Sequence, residues 1–148
     1  EDTTVETQEP KTNKNPWAIQ TAIEKKEFKL FGTDYDTPDG TCVRDYIHVL
    51  DLVEAHILAL DKLATAQGGF HYNVGTGKGY SNKEILETVK KVTGIDFPVN
   101  SRGRRPGDAD TLIADTTAIK NDLNFATKYS DLETIIRSAW EWHKRSDK

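Results

Sequence analysis

The sequence has little of the residue types that would identify several common protein classes. Its 148 residues include one cysteine, Cys42, and no methionine. A single cysteine excludes an internal disulfide, and the absence of a second thiol excludes the paired-cysteine zinc motifs. Because no base is identifiable beside it, we interpret Cys42 as a small packed residue rather than a nucleophile.

The chain also lacks a long hydrophobic run. Hydrophobic residues make up 36% of the sequence and charged residues 30%. No segment approaches the roughly 18 consecutive apolar residues that a membrane span requires. We therefore expect a soluble, cytoplasmic protein that does not bind membranes. The formal net charge of −4 argues against binding to nucleic acid, whose phosphates attract basic surfaces.

Residues 1–15 have almost no hydrophobic character, with Val5 as their only hydrophobic side chain. Such a segment buries too little apolar surface to offset the entropy lost on ordering, so we expect it to be mobile. Residues 16–148 have the length of one ordinary domain. Because the sequence contains no methionine, we expect its numbering to begin inside a longer product.

Hydrophobic periodicity predicts helices and strands that alternate along residues 16–148. Asn15 is predicted to cap a first helix, and Asp115 a short one. Three further helices should begin at capping signatures in which Asp or Ser is followed three residues later by Glu, namely at Asp51, Ser81 and Ser130. The predicted strands are 28–31, 43–49 and 70–74. This alternation indicates an α/β fold with at least some parallel strand pairing.

A glycine-rich segment, Gly75–Gly79, lies between a predicted strand and a predicted helix, where nucleotide-binding loops occur. Its spacing fits neither common motif. The dinucleotide fingerprint needs a glycine where Tyr80 stands, and the P-loop needs Ser or Thr where Gly79 stands. Two interpretations remain open, a plain strand-to-helix turn or a phosphate contact through main-chain N–H groups.

The segment Arg104–Asp108, together with Arg102, places planar cations and a carboxylate around a Pro-Gly turn. Guanidinium groups bind phosphate oxygens through parallel hydrogen bonds, and a carboxylate accepts hydrogen bonds from ribose hydroxyls. A nucleotide diphosphate would suit this set. The alternative is a solvated turn with a surface ion pair, and the spacing does not decide between them.

Arg44 and Asp45 interrupt the strand-like run 43–49, so each needs a partner, either the other residue or a ligand. Three histidines, His48, His56 and His71, lie on predicted strands or helices. Since no metal-ligand set accompanies them, we interpret them as structural hydrogen-bonding residues.

Four blocks of the sequence together resemble the UDP-glucose 4-epimerase family of the extended short-chain dehydrogenase/reductases. Their order and spacing match the carboxyl-terminal, substrate-binding part of that family, from about Pro16 onward. The resemblance implies an α/β fold in which the glycine-rich Rossmann half is absent. The blocks are Phe31–Thr41, Val43–Leu52, Tyr72–Gly77 and Arg104–Asp108.

The resemblance also implies a role for individual residues. A strand segment lines a uridine pocket, one arginine binds the diphosphate, an arginine and an aspartate engage phosphate and ribose, and a leucine walls the hexose pocket. An asparagine that the family has before its first helix corresponds to Asn13. The strand segment at the uridine pocket is Lys29, Leu30 and Phe31, and the arginine at the diphosphate is Arg44. The arginine and aspartate at phosphate and ribose are Arg105 and Asp108, and the leucine at the hexose pocket is Leu112.

Members of this family interconvert UDP-glucose and UDP-galactose. They hold NAD on an amino-terminal Rossmann domain and abstract the 4-hydroxyl proton with a Tyr-x-x-x-Lys pair. None of the five tyrosines here has lysine four positions later. We therefore predict no catalytic residue and no cofactor-binding residue in this chain, and expect the chain alone to be inactive.

The partners implied by the resemblance are a UDP-hexose and the amino-terminal Rossmann domain, with a homodimeric parent enzyme of galactose metabolism. Two alternatives remain open. The chain could be a non-enzymatic module that binds UDP, a UDP-sugar or a protein. It could instead be half of another NAD-dependent nucleotide-sugar epimerase or dehydratase.

Overall fold

The computed structural model describes the main chain of residues 14–146 and the side chains of residues 18–145. The predictions for residues 1–13, including Asn13, lie outside the described residues. Five helices and five short strands occur in the described part. In chain order they are α1 (Lys14–Ile23), β1 (Phe28–Phe31), β2 (Val43–Arg44), α2 (Val49–Thr65), β3 (Tyr80–Ser81), α3 (Asn82–Thr93), β4 (Val99–Arg102), β5 (Thr111–Leu112), α4 (Thr117–Leu123) and α5 (Leu132–Ser146).

The strands form two small sheets. β1 pairs with β4 in parallel, with Phe28 opposite Val99 and Phe31 opposite Arg102. In the second sheet β2 lies between β3 and β5, antiparallel to β3 and parallel to β5. The predicted α/β class with partly parallel pairing is confirmed.

The main hydrophobic core lies between β1 and the helices α1, α3 and α5. Side chains alternate along β1, with Phe28 and Leu30 buried and Lys29 exposed, as expected for a strand with one face on a core. Helix α1 contributes small and branched residues that allow close approach to α3. The buried residues of this core are Ala18, Ile19, Ala22, Phe28, Leu30, Ile85, Leu86, Val89, Phe97, Leu132 and Ile136.

A second, smaller core joins α2 to α4. Its buried members are Ala55, Ile119 and Phe125, and the side chains of Tyr72 and Val74 pack against them. A polar contact strengthens this junction, since Tyr72 Oη donates to Asp122 and Lys62 Nζ lies 2.6 Å from Asp122 Oδ1. The hydrogen bond to Asp122 raises the pKa of Tyr72 to about 12.

Helix α2 begins before its predicted start. Its N-cap is His48, whose Nδ1 accepts the N–H of Leu50 at 3.1 Å. The predicted capping box at Asp51 is therefore wrong. The prediction of His48 as a structural hydrogen-bonding residue is confirmed, because its Nε2 also lies 2.9 Å from the hydroxyl of Ser138.

Asp51 instead binds the loop that precedes α5. Its carboxylate accepts the N–H groups of Lys128 and Tyr129 at 3.0 and 2.9 Å and the hydroxyl of Ser130 at 2.5 Å. The Ser130 hydroxyl oxygen accepts the N–H of His48 at 2.9 Å instead of an N–H of α5. Its predicted role as the cap of α5 is therefore wrong, and Asp131, which directly precedes the helix, accepts the N–H of Thr134. Burial opposes ionisation of Asp51, but these hydrogen bonds outweigh burial and lower its pKa.

The capping box that begins α3 is confirmed. Ser81 Oγ accepts the N–H of Glu84, and the Glu84 carboxylate accepts the N–H of Ser81 at 2.7 Å. Both partners lie within one helical turn, so neighbouring sequence is sufficient to specify them. The predicted Asp115 cap is off by one residue, because the N-cap of α4 is Thr116; Asp115 precedes it and accepts the N–H of Thr117 at 3.0 Å.

Other predicted boundaries differ from the structure. Helix α1 begins at Lys14, one residue before its predicted cap. Of the predicted strand 43–49 only Val43–Arg44 pairs, because His48 already caps α2. Residues 70–74 form no strand, since no other strand in the described part of the chain lies beside them. Among residues 14–146, no helix combines the length and apolarity needed to cross a membrane.

The Asp51 network makes stability depend on pH. Because its folded-state pKa is lowered, Asp51 stabilises the fold above its ordinary pKa of about 4, and this stabilisation is lost as the pH falls through the lowered value. We expect Asp51→Asn to lower the free energy of unfolding by about 1–3 kcal/mol at pH 7. The difference from wild type should shrink towards pH 3. Urea unfolding followed by circular dichroism measures both values.

Asp61→Asn is the matched control, because Asp61 is an exposed residue of the same helix. Its free energy of unfolding should stay within about 0.5 kcal/mol of wild type. Equal effects of the two substitutions at pH 7 would contradict the assignment of Asp51 as the buried acceptor.

Candidate functional site

The arginine-rich segment forms a tight turn after β4. The N–H of Asp108 donates to the carbonyl oxygen of Arg105 at 3.3 Å, and Gly107 between them has φ of 82°. That left-handed conformation favours glycine. The turn places Arg105 and Asp108 beside each other at the rim of the sheet formed by β1 and β4.

Two arginines of this cluster already have carboxylate partners. Arg104 Nε donates to Asp34 Oδ1 at 2.9 Å, and its guanidinium carbon lies 4.2 Å from the centre of the Tyr35 ring. This hydrogen bond lowers the pKa of Asp34. Arg102 Nη2 lies 3.9 Å from Glu27 Oε1, too far for a hydrogen bond, although the two charges attract. The guanidinium of Arg104 is therefore held by the protein, whereas that of Arg102 is only near a carboxylate.

Arg105 differs from its neighbours. Its guanidinium carbon lies 3.8 Å from the centre of the Phe31 ring, in stacking contact. This guanidinium makes no hydrogen bond and no ion pair with any residue that the structure describes. The guanidinium is exposed and its N–H donors have no protein acceptor, so Arg105 presents an oriented fork to an external anion.

Arg44 on β2 faces the same turn. Its Nη1 donates to the carbonyl oxygen of Val43 at 2.8 Å. Its Nη2 lies 3.8 Å from Asp108 Oδ1, too far for a hydrogen bond, although the two charges attract. Arg44 therefore keeps unused donors in a half-buried position. The sequence predicts a partner for the charge of Arg44, and within the protein Asp108 meets that need only in part.

Asp45 finds its partner in the glycine-rich segment. Its carboxylate accepts the N–H groups of Thr76, Gly77 and Ala114 at 3.0, 3.0 and 3.3 Å, and the Thr76 hydroxyl at 2.6 Å. Gly75 permits this approach, because an added Cβ would lie 2.5 Å from Asp45 Oδ2. An internal carboxylate thus occupies the position that a phosphate would take in a nucleotide-binding loop.

This arrangement decides between the two interpretations of Gly75–Gly79. The N–H groups of Thr76 and Gly77 bind Asp45, so the phosphate-contact alternative is wrong for the structure described here. The same residues do not fit the pyrophosphate of a dinucleotide cofactor. The segment is a turn that is fixed to β2.

The structure places the other predicted site residues as follows. Leu112 on β5 pairs with Arg44 on β2, and its side chain is 55% exposed. Lys29 is exposed on β1, and Phe31 lies under Arg105. Leu30 has its side chain in the main core, so it differs from the other predicted pocket residues.

One edge of β1 carries no strand in the described part of the chain. The N–H groups of Phe28 and Gly32 donate to Pro98 and Arg102 on the β4 side. Because main-chain groups alternate along a strand, those of Lys29 and Phe31 face the other edge. This edge offers donors and acceptors next to the Phe31 ring and Arg105.

A groove of about 400 Å³ lies between α3 and α5. Its lining includes three carboxylates, Glu84, Glu87 and Glu133, and one cation, Lys91, which lies 2.8 Å from Glu133. This charge disfavours an anionic ligand there. Among the described residues, no group of His, Cys, Asp and Glu could hold a metal ion.

Sequence reasoning missed the role of the loop between β1 and β2. Asp34 and Tyr35 hold Arg104, and Asp110 accepts the N–H of Asp36 at 3.2 Å. Tyr35 is buried, which raises the pKa of its hydroxyl to about 12. The density of turn-forming residues in this loop was the available signal, but it does not specify partners 70 residues away.

Comparisons with known proteins agree on one group of relatives. The model of the NAD dependent epimerase/dehydratase family matches residues 5–75. A UDP-glucose 4-epimerase of Lactobacillus helveticus is 46% identical over 140 residues, which is 94% of this chain and 42% of that protein. A protein of Oryza sativa subsp. japonica named probable UDP-arabinose 4-epimerase 1 is 51% identical over 117 residues, 79% of this chain and 28% of that protein.

A solved structure has the same fold. The UDP-glucose 4-epimerase of Bifidobacterium longum, crystallised with NAD+ and UDP, superposes with a TM-score of 0.84 at 37% identity. The match covers 91% of this chain and 40% of that structure. The chain thus spans about two fifths of the length of the UDP-glucose 4-epimerases that it matches.

Proposed function

We propose that this chain, which matches the model of the NAD dependent epimerase/dehydratase family over residues 5–75, is the substrate-binding portion of a UDP-glucose 4-epimerase. In this proposal the chain holds the UDP group of UDP-glucose or UDP-galactose. The redox chemistry of NAD and the proton-transfer residues belong to the Rossmann domain of the complete enzyme. The cytoplasmic location and the homodimeric parent remain expectations from the resemblance.

The observation that carries the proposal is the state of Arg105. Of three clustered arginines, Arg104 is hydrogen-bonded to Asp34 and Arg102 lies 3.9 Å from Glu27, whereas Arg105 is stacked on Phe31 with its donors unused by the described residues. Stacking orients the guanidinium plane without consuming its N–H groups. A phosphate would receive two parallel, charge-assisted hydrogen bonds from such a group.

Arg44 supplies a second cation for the diphosphate. Its Nη2 lies 3.8 Å from Asp108 Oδ1 of the turn that carries Arg105, so this ion pair is long. A diphosphate between the two guanidinium groups would complete the pairing of Arg44 and leave the Asp108 carboxylate to accept hydrogen bonds from ribose hydroxyls. The free edge of β1 supports a place for uracil. The N–H donor and the carbonyl acceptors of uracil complement the main-chain groups of Lys29 and Phe31, which face this edge. The main-chain groups of Leu30, between them, face the other way.

A firm hold on UDP and a loose hold on the sugar suit an epimerase. The keto-sugar must rotate within the site while the nucleotide stays bound, so binding energy is best concentrated on the phosphates. The cations Arg44 and Arg105 provide that concentration. Leu112, opposite Arg44, offers the sugar an apolar surface without hydrogen-bonding groups.

A second candidate substrate is a UDP-pentose. It is favoured by the relative of Oryza sativa subsp. japonica, which is 51% identical and is named a probable UDP-arabinose 4-epimerase. Both substrates share the UDP group, so the binding residues proposed above are the same. Comparison of the two sugars in one assay separates the candidates.

The proposal predicts that the free chain has no epimerase activity. None of its tyrosines is followed by a correctly spaced lysine, and the amides of Thr76 and Gly77 in the glycine-rich segment already bind Asp45. The positive control is a fusion protein, which we call the joined protein. In it, this chain follows the part of the Lactobacillus helveticus relative that the match does not include. With NAD and UDP-galactose, a coupled assay should detect UDP-glucose from the joined protein alone. Turnover by the free chain would contradict the proposal, and binding of UDP without turnover by the joined protein would favour the non-enzymatic module.

A second prediction concerns Arg105. We expect Arg105→Ala to weaken UDP binding about 10- to 100-fold, because charge-assisted hydrogen bonds of about 1.5–3 kcal/mol are lost. Uridine affinity should change much less. Titrations followed by NMR measure both affinities. Arg137→Ala is the control, since Arg137 is an exposed arginine paired with Glu133 on α5; unchanged UDP affinity in Arg105→Ala would reject the assignment.

A third prediction concerns the choice of sugar. A branched Leu112 side chain should disfavour an N-acetyl group by about 1–3 kcal/mol if the wall does not move. The joined protein should therefore prefer UDP-glucose to UDP-N-acetylglucosamine, and Leu112→Ser should reduce that preference by roughly tenfold. Ile113→Ser, at the exposed neighbour, should not. Equal kcat/KM values for the two sugars in the wild-type joined protein would show that Leu112 is not the wall.

A further inference from the structure

Two consecutive arginines of the turn after β4 stack on two aromatic rings that lie close together in the sequence. The guanidinium carbon of Arg104 lies 4.2 Å from the centre of the Tyr35 ring, and that of Arg105 lies 3.8 Å from the centre of the Phe31 ring. Phe31 ends β1, and Tyr35 belongs to residues 32–42, which connect β1 to β2 and which we call the β1–β2 loop. The two arginines are thus held against one continuous segment.

Arg104 is bound to the β1–β2 loop through two acceptors at once. Its Nε donates to Asp34 Oδ1 at 2.9 Å, and its Nη2 donates to the main-chain carbonyl oxygen of Asp34. The hydrogen bond to the carboxylate raises the pKa of Arg104. A planar guanidinium fork suits two acceptors side by side, whereas the ammonium group of a lysine has no such geometry. The side chain of Arg104 therefore serves as an attachment of the turn to the loop.

A further hydrogen bond attaches the same loop on the other side of the turn. The N–H of Asp36 donates to Asp110 Oδ2 at 3.2 Å. In the sequence, Arg104 and Asp110 flank Arg105 and Asp108. The β1–β2 loop thus holds both ends of the segment that carries these two residues.

The β1–β2 loop is itself fixed to the rest of the fold. Tyr35 is 4% exposed, and its N–H donates to the carbonyl oxygen of Gly40 at 3.0 Å. The Asp39 carboxylate accepts the hydroxyl of Ser81, which is the N-cap of α3. The groups that hold Arg104 are therefore anchored to the start of a helix of the main core.

We propose that Arg104 is a positioning residue that fixes Arg105 for the diphosphate of the substrate. Because the two residues are adjacent, the attachment of Arg104 to Asp34 and Tyr35 fixes the main chain from which Arg105 extends over Phe31. Arg104 acts through Arg105 and needs no contact with the nucleotide. This inference rests on the proposed function, which supplies the diphosphate.

Electrostatics alone leads to the opposite expectation for Asp34. A carboxylate near an anion-binding turn repels phosphates, so its removal should strengthen UDP binding if only charge matters. If Asp34 holds Arg104 in place, its removal should weaken UDP binding instead. The sign of the change therefore separates positioning from a simple effect of charge.

The experiment titrates UDP into the joined protein and its variants by calorimetry. If loss of the attachment leaves Arg105 stacked for about one tenth of the time, the apparent Kd for UDP rises roughly tenfold. We expect this rise in Arg104→Ala and a rise of about 3- to 10-fold in Asp34→Ala. Arg104→Lys keeps the charge but not the fork, so it should resemble Arg104→Ala. The Kd for uridine, which has no phosphate, should change less than about twofold in each variant.

A double-mutant cycle separates positioning from a direct contact. In the Arg105→Ala background, Arg104→Ala should change the Kd for UDP by less than about twofold, because the residue through which it acts is missing. A direct hydrogen bond from Arg104 to phosphate would give the full loss in both backgrounds.

Glu27→Ala is the matched control for Asp34→Ala. Glu27 is also a carboxylate near an arginine of this cluster, but it lies 3.9 Å from Arg102 and makes no hydrogen bond to it. Its removal should leave the Kd for UDP within about twofold of the wild-type value.

An independent readout needs no nucleotide. While the Arg105 guanidinium is stacked, the ring current of Phe31 moves the NMR signal of the Arg105 Nε–H upfield, and the spectrum of Arg105→Ala identifies this signal by its loss. In Arg104→Ala and Asp34→Ala the signal should move towards that of an exposed arginine, whereas in Glu27→Ala it should stay in place. Melting curves show which variants are folded, and Arg104→Lys and Asp34→Ala test the same contact if Arg104→Ala is unfolded.

Four results would overturn the inference. They are unchanged or tighter UDP binding in Asp34→Ala, the full loss from Arg104→Ala in the Arg105→Ala background, wild-type affinity in Arg104→Lys, and an Arg105 signal that stays in place in Arg104→Ala. Failure of the proposed function is distinguishable. If the wild-type joined protein binds no UDP but the Arg105 signal moves as expected, the positioning of Arg105 stands and only the proposed function is rejected. If UDP binds and the signal does not move, only this inference is rejected.

Discussion

The carboxylate of Asp45 connects the parts of the structure on which the site depends. It accepts hydrogen bonds from Thr76, Gly77 and Ala114, so it joins β2 to the glycine-rich turn and to the residue two places after β5. Arg44 precedes Asp45 directly, and β5 pairs with β2. The half-buried carboxylate of Asp45 therefore fixes the turn and the end of β5 beside the strand that carries Arg44. Without those hydrogen bonds, the glycine-rich turn would lose its attachment to that strand.

Carboxylates also decide which cations remain available. Asp34 lies against Arg104 and Glu27 lies near Arg102, while Arg105 stacks on Phe31 and keeps its donors. A cluster of like charges is thus divided into structural members and one member oriented for a ligand. The same principle excludes the glycine-rich turn as a phosphate site, because its N–H groups already bind an anion. The acidic groove between α3 and α5 is unsuited to UDP for the converse reason.

The two hydrophobic cores differ in how far the described helices and strands enclose them. The main core is enclosed by α1, α3, α5 and β1, whereas the smaller core supports only one face of α2. An amphipathic helix needs one layer, and a helix that is apolar on two faces needs two. Among the described residues, one apolar face of α2 therefore stays exposed and residues 70–74 have no main-chain partners.

The sequence alone determined the features whose causes lie within a few residues. The capping box of Ser81 and Glu84, the alternation along β1 and the incomplete fingerprint of Gly75–Gly79 are all local, because a helical turn, a strand pleat and a turn each span about four residues. The tertiary structure decided the partners of charged groups. The sequence predicted Asp51 as a helix cap, yet its carboxylate accepts hydrogen bonds from a loop 77 to 79 residues away. A hydrogen bond over that separation depends on how the intervening elements pack, so the residues next to Asp51 do not predict it.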